Sequence, residues 1–223
     1  MTSSQQQARL NRHTLYTFSC ARCRRCCHAK VIQVNPYEVA RLAARLGLST
    51  TAFIRRHLRG NGAHLDFGAE NVCPFLTATG CGVHPDRPLV CRLYPLGRHV
   101  AENGEEWFTE LEAEADCAGR RSAEATVFAY VDAQGALPYM RAADLYLALY
   151  WKLSSLLENS DLDDGSPRSM SDSWADLDAS VAQFCAERRI PVPTTLEDRM
   201  LLHIQAIETW ALAPEKEKHH AHE

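Results

Sequence analysis

Nine cysteines in 223 residues constrain this chain more than any other feature of its sequence. The N-terminal segment up to Phe18 has no apolar stretch of the kind that directs secretion, so we expect a cytoplasmic protein. Disulfides are rare in that reducing compartment, and an odd number of cysteines cannot pair completely within one chain. Cysteines used this heavily are then more often metal ligands or redox groups than structural cross-links. We therefore expect metal binding.

Four of the cysteines lie within eight residues, in Cys20-Ala-Arg-Cys23-Arg-Arg-Cys26-Cys27. A C-x-x-C turn directs two sulfurs toward one point, and backbone N–H groups of the turn can donate to them. Two overlapping copies followed by an adjacent cysteine are more specific than a single C-x-x-C. Because neighbouring side chains point in different directions, Cys26 and Cys27 are expected to serve different metal atoms or different parts of one site.

The remaining cysteines fall into two classes. Four lie in loop-like segments rich in proline and glycine: Cys73, Cys81, Cys91 and Cys117. Eight thiolates suffice for two four-coordinate centres, or for one centre and a redox set. Cys185 lies in a helical stretch, which is typical of a buried structural thiol. His28 and His84 are alternative ligands, although a surface histidine is the commoner explanation for each.

The ordered series resembles a known family. Phe18-Ser-Cys20 opens it, Cys73-Pro-Phe-Leu76 continues it, and Arg87-Pro88-x-x-Cys91-Arg92-x-Tyr94-Pro95 follows. This pattern is similar to the YkgJ-type CxxCxxCC family, which is described as zinc- or iron-chelating, and the similarity covers about residues 18–135. The resemblance implies that all eight cysteines of the series bind metal: Cys20, Cys23, Cys26, Cys27, Cys73, Cys81, Cys91 and Cys117.

Three positions depart from the family pattern. Arg24 stands where a glycine often follows the second cysteine, Ala118 where a proline often follows the last, and His84 where a tyrosine is common. Relatives include a flagellin lysine N-methylase associated with an iron–sulfur cluster. A cluster-dependent group-transfer enzyme is therefore an alternative function. The sequence contains no P-loop, no G-x-G-x-x-G and no G-x-S-x-G that would indicate another enzyme class.

The metal itself is left open by the cysteines, because thiolates suit both zinc and iron–sulfur clusters. Four thiolates leave a net charge of about −2 on Zn²⁺ and on a [4Fe–4S]²⁺ cluster alike. The resemblance favours an iron–sulfur cluster of the [4Fe–4S] type, with zinc or mononuclear iron as the alternative. Five arginines beside the cysteines are candidates to offset this charge and to donate hydrogen bonds to sulfur. They are Arg22, Arg24, Arg25, Arg87 and Arg92.

Charge is distributed unevenly along the chain. Residues 1–60 hold 11 Lys and Arg against one acid, whereas residues 61–223 hold 13 Lys and Arg against 27 Asp and Glu. The basic region is therefore an alternative binding surface for nucleic acid or for an acidic partner. Offset of thiolate charge is the simpler explanation, and few aromatic residues accompany the bases. No apolar run approaches the roughly 18 residues that span a bilayer, so no membrane association is expected.

Local patterns predict a mostly helical α+β fold with a small, loop-rich metal core and short β-hairpins. Asn35-Pro36 begins a helix that ends at Gly47, Asn103-Gly104 marks a hairpin, and Thr126 begins a further helix. The predicted organisation is a flexible tail (1–13), a cysteine-rich domain (14–140), a helical extension (141–213) and a second tail (214–223). An acidic linker is expected at 161–171, and the helical extension is a candidate surface for a protein partner.

Overall fold

The computed structural model describes residues 8–60, 63–114, 116–158 and 175–212. The strands in these ranges are β1 (Leu15–Ser19), β2 (Leu58–Arg59), β3 (His64–Leu65), β4 (Leu76–Thr77), β5 (Gly80–Cys81), β6 (Leu96–Val100), β7 (Glu106–Glu110) and β8 (Arg120–Thr126). The helices are α1 (Pro36–Arg45), α2 (Thr50–His57), α3 (Leu89–Leu93), α4 (Val127–Ala133), α5 (Leu137–Glu158), α6 (Leu177–Arg188) and α7 (Leu196–Leu212). These elements confirm the mostly helical α+β class with small antiparallel strand pairs.

Some expectations cannot be compared with this structure. The predicted linker at 161–171 and the predicted tail at 214–223 lie outside the described residues. Within the described ranges, none of the helices combines the length and the apolar character that crossing a membrane requires.

The chain divides into two units, each built from two separate segments. The first unit is Met1–Val34 with His64–Arg141, and the second is Asn35–Ala63 with Ala142–Glu223. All eight cysteines of the ordered series belong to the first unit, and Cys185 belongs to the second. The sequence places α1 and α2 in the cysteine-rich domain, whereas the structure groups them with the C-terminal helices.

Hydrogen bonds in the second unit explain this grouping. The Tyr37 hydroxyl on α1 donates to Glu197 on α7 over 3.2 Å. The hydroxyls of Thr50 and Thr51 both donate to the carboxylate of Asp176, which also accepts from the first turn of α6. Apolar side chains from α1, α2, α6 and α7 are buried in this unit: Leu42, Phe53, Leu177, Val181, Phe184, Met200 and Ile207.

Helix α1 begins and ends as its sequence predicts. Asn35 accepts a hydrogen bond from the Glu38 amide, and the Glu38 carboxylate accepts one from the Asn35 amide, which completes a capping box. Gly47 follows the helix with a φ of +67°, a conformation that glycine adopts without steric cost.

An antiparallel ladder between β1 and β8 organises the first unit. Ser19 lies opposite Arg120, and Phe18 lies opposite Arg121. Cys20 directly follows β1, and Cys117 shortly precedes β8. The ladder therefore brings two distant cysteine-bearing segments to the same end of a strand pair.

Another strand pair of this unit is the hairpin of β6 and β7, which turns at the predicted Asn103-Gly104. Leu10 exchanges backbone hydrogen bonds with Phe108 on β7, each over 2.8 Å. Arg12 adds an ion pair to Glu106 at 2.5 Å. Residues 8–13, which the sequence predicts as part of a flexible tail, are thus held by backbone and charge contacts.

Candidate metal centre

The segment from Cys20 to Cys27 turns tightly because two arginines adopt left-handed backbone conformations. Arg22 has a φ of 53° and Arg24 a φ of 67°, and such angles cost a non-glycine residue roughly 1–2 kcal/mol. These two conformations turn the chain back, so that its own backbone amides reach the cysteine sulfurs. The Arg22 amide lies 3.4 Å from the Cys20 sulfur, and the Arg25 amide donates to the Cys23 sulfur.

One local arrangement recurs along the ordered series. In five of its eight cysteines, the backbone N–H two residues further along the chain donates to the sulfur. These cysteines are Cys20, Cys23, Cys73, Cys81 and Cys117. A donated N–H favours the thiolate over the neutral thiol, because the charged sulfur is the stronger acceptor. The local conformation thus suits the form of cysteine that binds metal.

Four partly buried cysteines lie within electrostatic reach of one another, and we call them the inner group: Cys26, Cys27, Cys73 and Cys81. Adjacent Cys26 and Cys27 are linked by a hydrogen bond that the Cys27 thiol donates. They lie in a 3-10 turn, Arg25–Cys27, in which successive residues rotate by about 120° rather than by the 180° of a strand. The Cys73 amide donates to the Cys27 carbonyl over 2.9 Å and joins the two segments.

The inner sulfurs influence one another's ionisation. The hydrogen bond from Cys27 lowers the pKa of Cys26 to about 7, and the same bond, with burial, raises the pKa of Cys27. Burial raises the pKa of Cys73 and of Cys81, and a charge on Cys26 raises both further. One thiolate in this group therefore opposes the formation of the next. A cation bound among the four sulfurs removes that opposition.

The other four cysteines form what we call the outer group: Cys20, Cys23, Cys91 and Cys117. Cys20 and Cys91 are exposed. The sulfurs of Cys23 and Cys117 lie 4.0 Å apart. Amides of Arg25 and Ala118 lower the pKa of Cys23. The Gly119 amide acts in the same direction on Cys117, but burial and the contact with Cys23 outweigh it and raise its pKa.

Three of the arginines flank the first cysteine segment without bonding sulfur through their guanidinium groups in the contacts described. Arg24 donates to the carbonyl of Ala78 over 2.8 Å, and Arg25 lies 4.0 Å from the carboxylate of Asp116. Arg22 contributes its backbone amide to Cys20. Their direct partners are therefore mostly oxygen atoms.

The other two arginines lie beside Cys81 and Cys91. Arg87 donates to the Gln134 side chain over 2.9 Å, and its charge lowers the pKa of Cys81 against the larger effect of burial. Arg92 is only 5% exposed and stacks on the Tyr139 ring, 3.9 Å from its centre. Its guanidinium donates to the carbonyls of Pro85, Arg87 and Gln134 and to the Tyr139 hydroxyl. Arg92 thus holds loops together rather than facing sulfur.

Sequence reasoning missed the aromatic frame behind the cysteines. A Cβ added to Gly119 would lie 2.1 Å from the ring of Phe18, so glycine is needed two residues after Cys117. The Phe18 ring meets Tyr94 edge-on at 6.2 Å, and the Tyr94 hydroxyl accepts from the Glu114 amide over 3.0 Å. Only the glycine itself, placed just after the last cysteine of the series, could have signalled this contact.

The remaining candidates have separate roles. His28 is exposed and bridges Val72 through its backbone, and the exposed His84 ring lies 3.3 Å from Arg87. Cys185 is buried in α6 of the second unit, as the sequence predicts for a structural thiol.

Among the residues that the structure describes, no three Cys, His, Asp or Glu side chains stand close enough to enclose an ion.

Comparison with known proteins supports metal binding. Residues 19–117 match the model of the CxxCxxCC family, whose description is "putative zinc- or iron-chelating domain". The match spans all eight cysteines of the ordered series and confirms the resemblance over this part of the chain. No curated protein and no solved structure matches the chain.

Proposed function

We propose that this protein, whose residues 19–117 match the model of the CxxCxxCC family, holds a metal centre on its inner group of cysteines. The observation that carries the proposal is that the partly buried thiols of Cys26, Cys27, Cys73 and Cys81 act on one another's pKa, while a backbone hydrogen bond joins Cys73 to Cys27. Four thiolates are the usual ligand number for structural zinc and for iron–sulfur clusters.

The adjacent pair favours a centre with more than one metal atom. Cys26 and Cys27 share one stretch of backbone, and a single tetrahedral ion would require both sulfurs at about 2.3 Å from the same point. In an iron–sulfur cluster each cysteine binds a different iron, which relaxes this requirement. We therefore prefer an iron–sulfur cluster of the [4Fe–4S] type, with zinc or mononuclear iron as the alternative occupant.

The role best supported by the surrounding structure is to hold the first unit together. Between Leu65 and Leu89 the chain forms only one pair of two-residue strands and one 3-10 turn. Such a segment contributes few regular hydrogen bonds of its own. Structural metal binding can supply on the order of 10–16 kcal/mol to folding, which is enough to fix these loops.

Anaerobic purification with metal analysis and an absorption spectrum tests the identity of the centre. We expect brown protein with iron and sulfide bound in stoichiometric amounts. Cys26→Ser, Cys27→Ser, Cys73→Ser and Cys81→Ser should each lose most of the metal, whereas the matched control Cys185→Ser should retain it. Colourless protein with stoichiometric zinc would reverse the preference, and full metal retention in all four variants would refute the inner site.

Removing the metal tests its structural role. A strong chelator should increase amide hydrogen exchange in peptides from residues 64–95, where Cys73 bonds Cys27, because the loops lose their cross-link. Peptides from α6 and α7 serve as the internal control and should keep their protection. Unchanged exchange in 64–95 after complete metal loss would contradict a structural role.

A further inference from the structure

The basic residues of the N-terminal region differ in whether the fold already provides them with partners. Up to residue 41, carboxylates lie beside four of them: Arg9, Arg12, Arg25 and Lys30. The Arg24 guanidinium donates to a backbone carbonyl, and the Arg41 guanidinium lies over the Tyr37 ring. Most of the positive charge in this stretch is therefore engaged within the protein itself.

The last four basic residues of the region have a different environment. Their side chains form no ion pair and no hydrogen bond within the described part of the chain, and each is exposed. They are Arg45, Arg55, Arg56 and Arg59. Three of them occur within five residues, at the end of α2 and in β2, and we call Arg55, Arg56 and Arg59 the α2 arginine surface. Its charge is available to a partner molecule.

The packing of α2 keeps this surface exposed. Phe53 is completely buried and Thr50 is 1% exposed, while the His57 ring packs on the Phe53 ring at 5.1 Å. Residues three and four apart share one face of a helix, so these three side chains form the inward face. Arg55 and Arg56 occupy positions outside that face, and the arginines are therefore held at the surface by the anchoring of the helix.

The composition of the surroundings favours a phosphate backbone over a protein partner. Protein interfaces depend on aromatic and apolar anchors, and among the described residues no large apolar side chain is exposed between Leu46 and Val90. The planar guanidinium can donate two parallel hydrogen bonds to one phosphate. Unpaired bases would need exposed aromatic rings on which to stack, which this stretch does not offer in its described part. A duplex, with its bases paired inside, suits the surface better than a single strand.

We propose that the α2 arginine surface binds the sugar–phosphate backbone of double-stranded DNA without regard to base sequence. Each arginine that neutralises a phosphate releases counterions, so affinity falls as salt rises, with a logarithmic slope of about −0.9 for each phosphate contacted. The inference goes beyond the proposed metal centre and does not depend on it, because these arginines belong to the second unit and the cysteine series belongs to the first.

Fluorescence anisotropy with a short labelled DNA duplex tests the proposal on the metal-loaded full chain, over a range of about 50–200 mM salt. The triple variant Arg55→Gln, Arg56→Gln, Arg59→Gln should bind at least tenfold more weakly at the lowest salt, with a slope shallower by about 2–3. The replaced side chains are exposed and bond nothing in the described chain, so denaturant unfolding should be unchanged. An unchanged affinity and slope in a folded triple variant would overturn the proposal.

A matched control separates the surface from the effect of net charge. Arg141 is an exposed arginine of the first unit, and Arg141→Gln removes the same charge as Arg56→Gln. We expect Arg56→Gln to reduce the slope by about 0.9 and Arg141→Gln to leave it unchanged. Equal effects of the two variants would overturn the assigned surface. Tighter binding of duplex RNA, polyglutamate or phosphatidylserine vesicles than of duplex DNA would overturn the assigned partner.

Discussion

Replacing Gly119 with alanine tests whether the Phe18 ring positions the loop that carries Cys117. The new Cβ would lie 2.1 Å from one ring carbon and 2.9 Å from two others. Carbon atoms normally pack at about 3.5–4.0 Å, so ring and loop must separate by roughly 1.4 Å. The ring is 9% exposed and lies against Tyr94, which leaves it little room to turn away. Overpacking of this kind costs about 1–3 kcal/mol.

The free energy of opening can be measured by native-state hydrogen exchange of the β1–β8 amides, which reports on the first unit alone. Gly119→Ala should lower it by about 1–3 kcal/mol. The neighbouring substitution Ala118→Ser, at an exposed position, is the matched control and should leave this free energy unchanged.

A double-mutant cycle identifies the cause. Phe18→Leu shortens the side chain that the new Cβ meets, so Gly119→Ala should cost at least 1 kcal/mol less in that background than alone. Additive effects of the two substitutions would refute the steric explanation. So would a Gly119→Ala protein within about 0.5 kcal/mol of the wild type, the range of an ordinary surface change.

Three further substitutions test other parts of the fold. Arg92→Lys keeps the positive charge but loses the planar guanidinium that donates to the loop carbonyls. Denaturant unfolding should therefore show a free energy of unfolding lower by about 2–4 kcal/mol. An unchanged free energy would contradict the role of Arg92 in joining these loops. Burial raises the pKa of Glu106, but hydrogen bonds and charge from Arg12 and Arg98 outweigh it, and the net pKa is lowered. This stabilisation is present above the ordinary glutamate range and is lost as the pH falls through the lowered pKa. Glu106→Gln should therefore flatten the acid decline of unfolding free energy, and an identical decline would count against the pairing. Asp176→Ala removes the acceptor of two threonine hydroxyls and a helix cap, which should lower the unfolding free energy of the second unit by about 2–3 kcal/mol; a loss below 0.5 kcal/mol would show that water replaces it.

Features determined by neighbouring residues were predictable from sequence. The capping box at Asn35, the hairpin turn at Asn103-Gly104 and the cap at Thr126 each depend on residues within a few positions. The amide donation within the C-x-x-C turns is equally local. The same reasoning could not assign α1 and α2 to the second unit, because that depends on contacts such as the one between Tyr37 and Glu197, far apart in the chain.

The sequence alone could likewise not predict which cysteines lie next to each other, because this depends on contacts between distant segments. The inner group depends on the backbone bond from Cys73 to Cys27, and the contact between Cys23 and Cys117 depends on the register of β1 and β8. The hydrogen bond between adjacent Cys26 and Cys27 forms within a 3-10 turn that the sequence pattern does not indicate. The spacing of the cysteines identifies eight candidate ligands. Only the contacts between distant segments of the chain show which of these cysteines lie near one another.

The arginines of the basic N-terminal region act on the cysteines through their charge at a distance more than through direct hydrogen bonds to sulfur. The guanidinium groups of Arg24 and Arg25 bond oxygen atoms, while uncharged backbone amides donate to the sulfurs. An exposed charge pair contributes about 1 kcal/mol at 4 Å in water and is screened beyond about 8 Å at physiological salt. An amide donor to a partly buried sulfur is far less sensitive to salt. Metal affinity should therefore depend mainly on the backbone conformation of the turns. This also explains how Arg24 can stand at a position with positive φ, because its bond to the Ala78 carbonyl offsets part of the strain that a glycine would avoid.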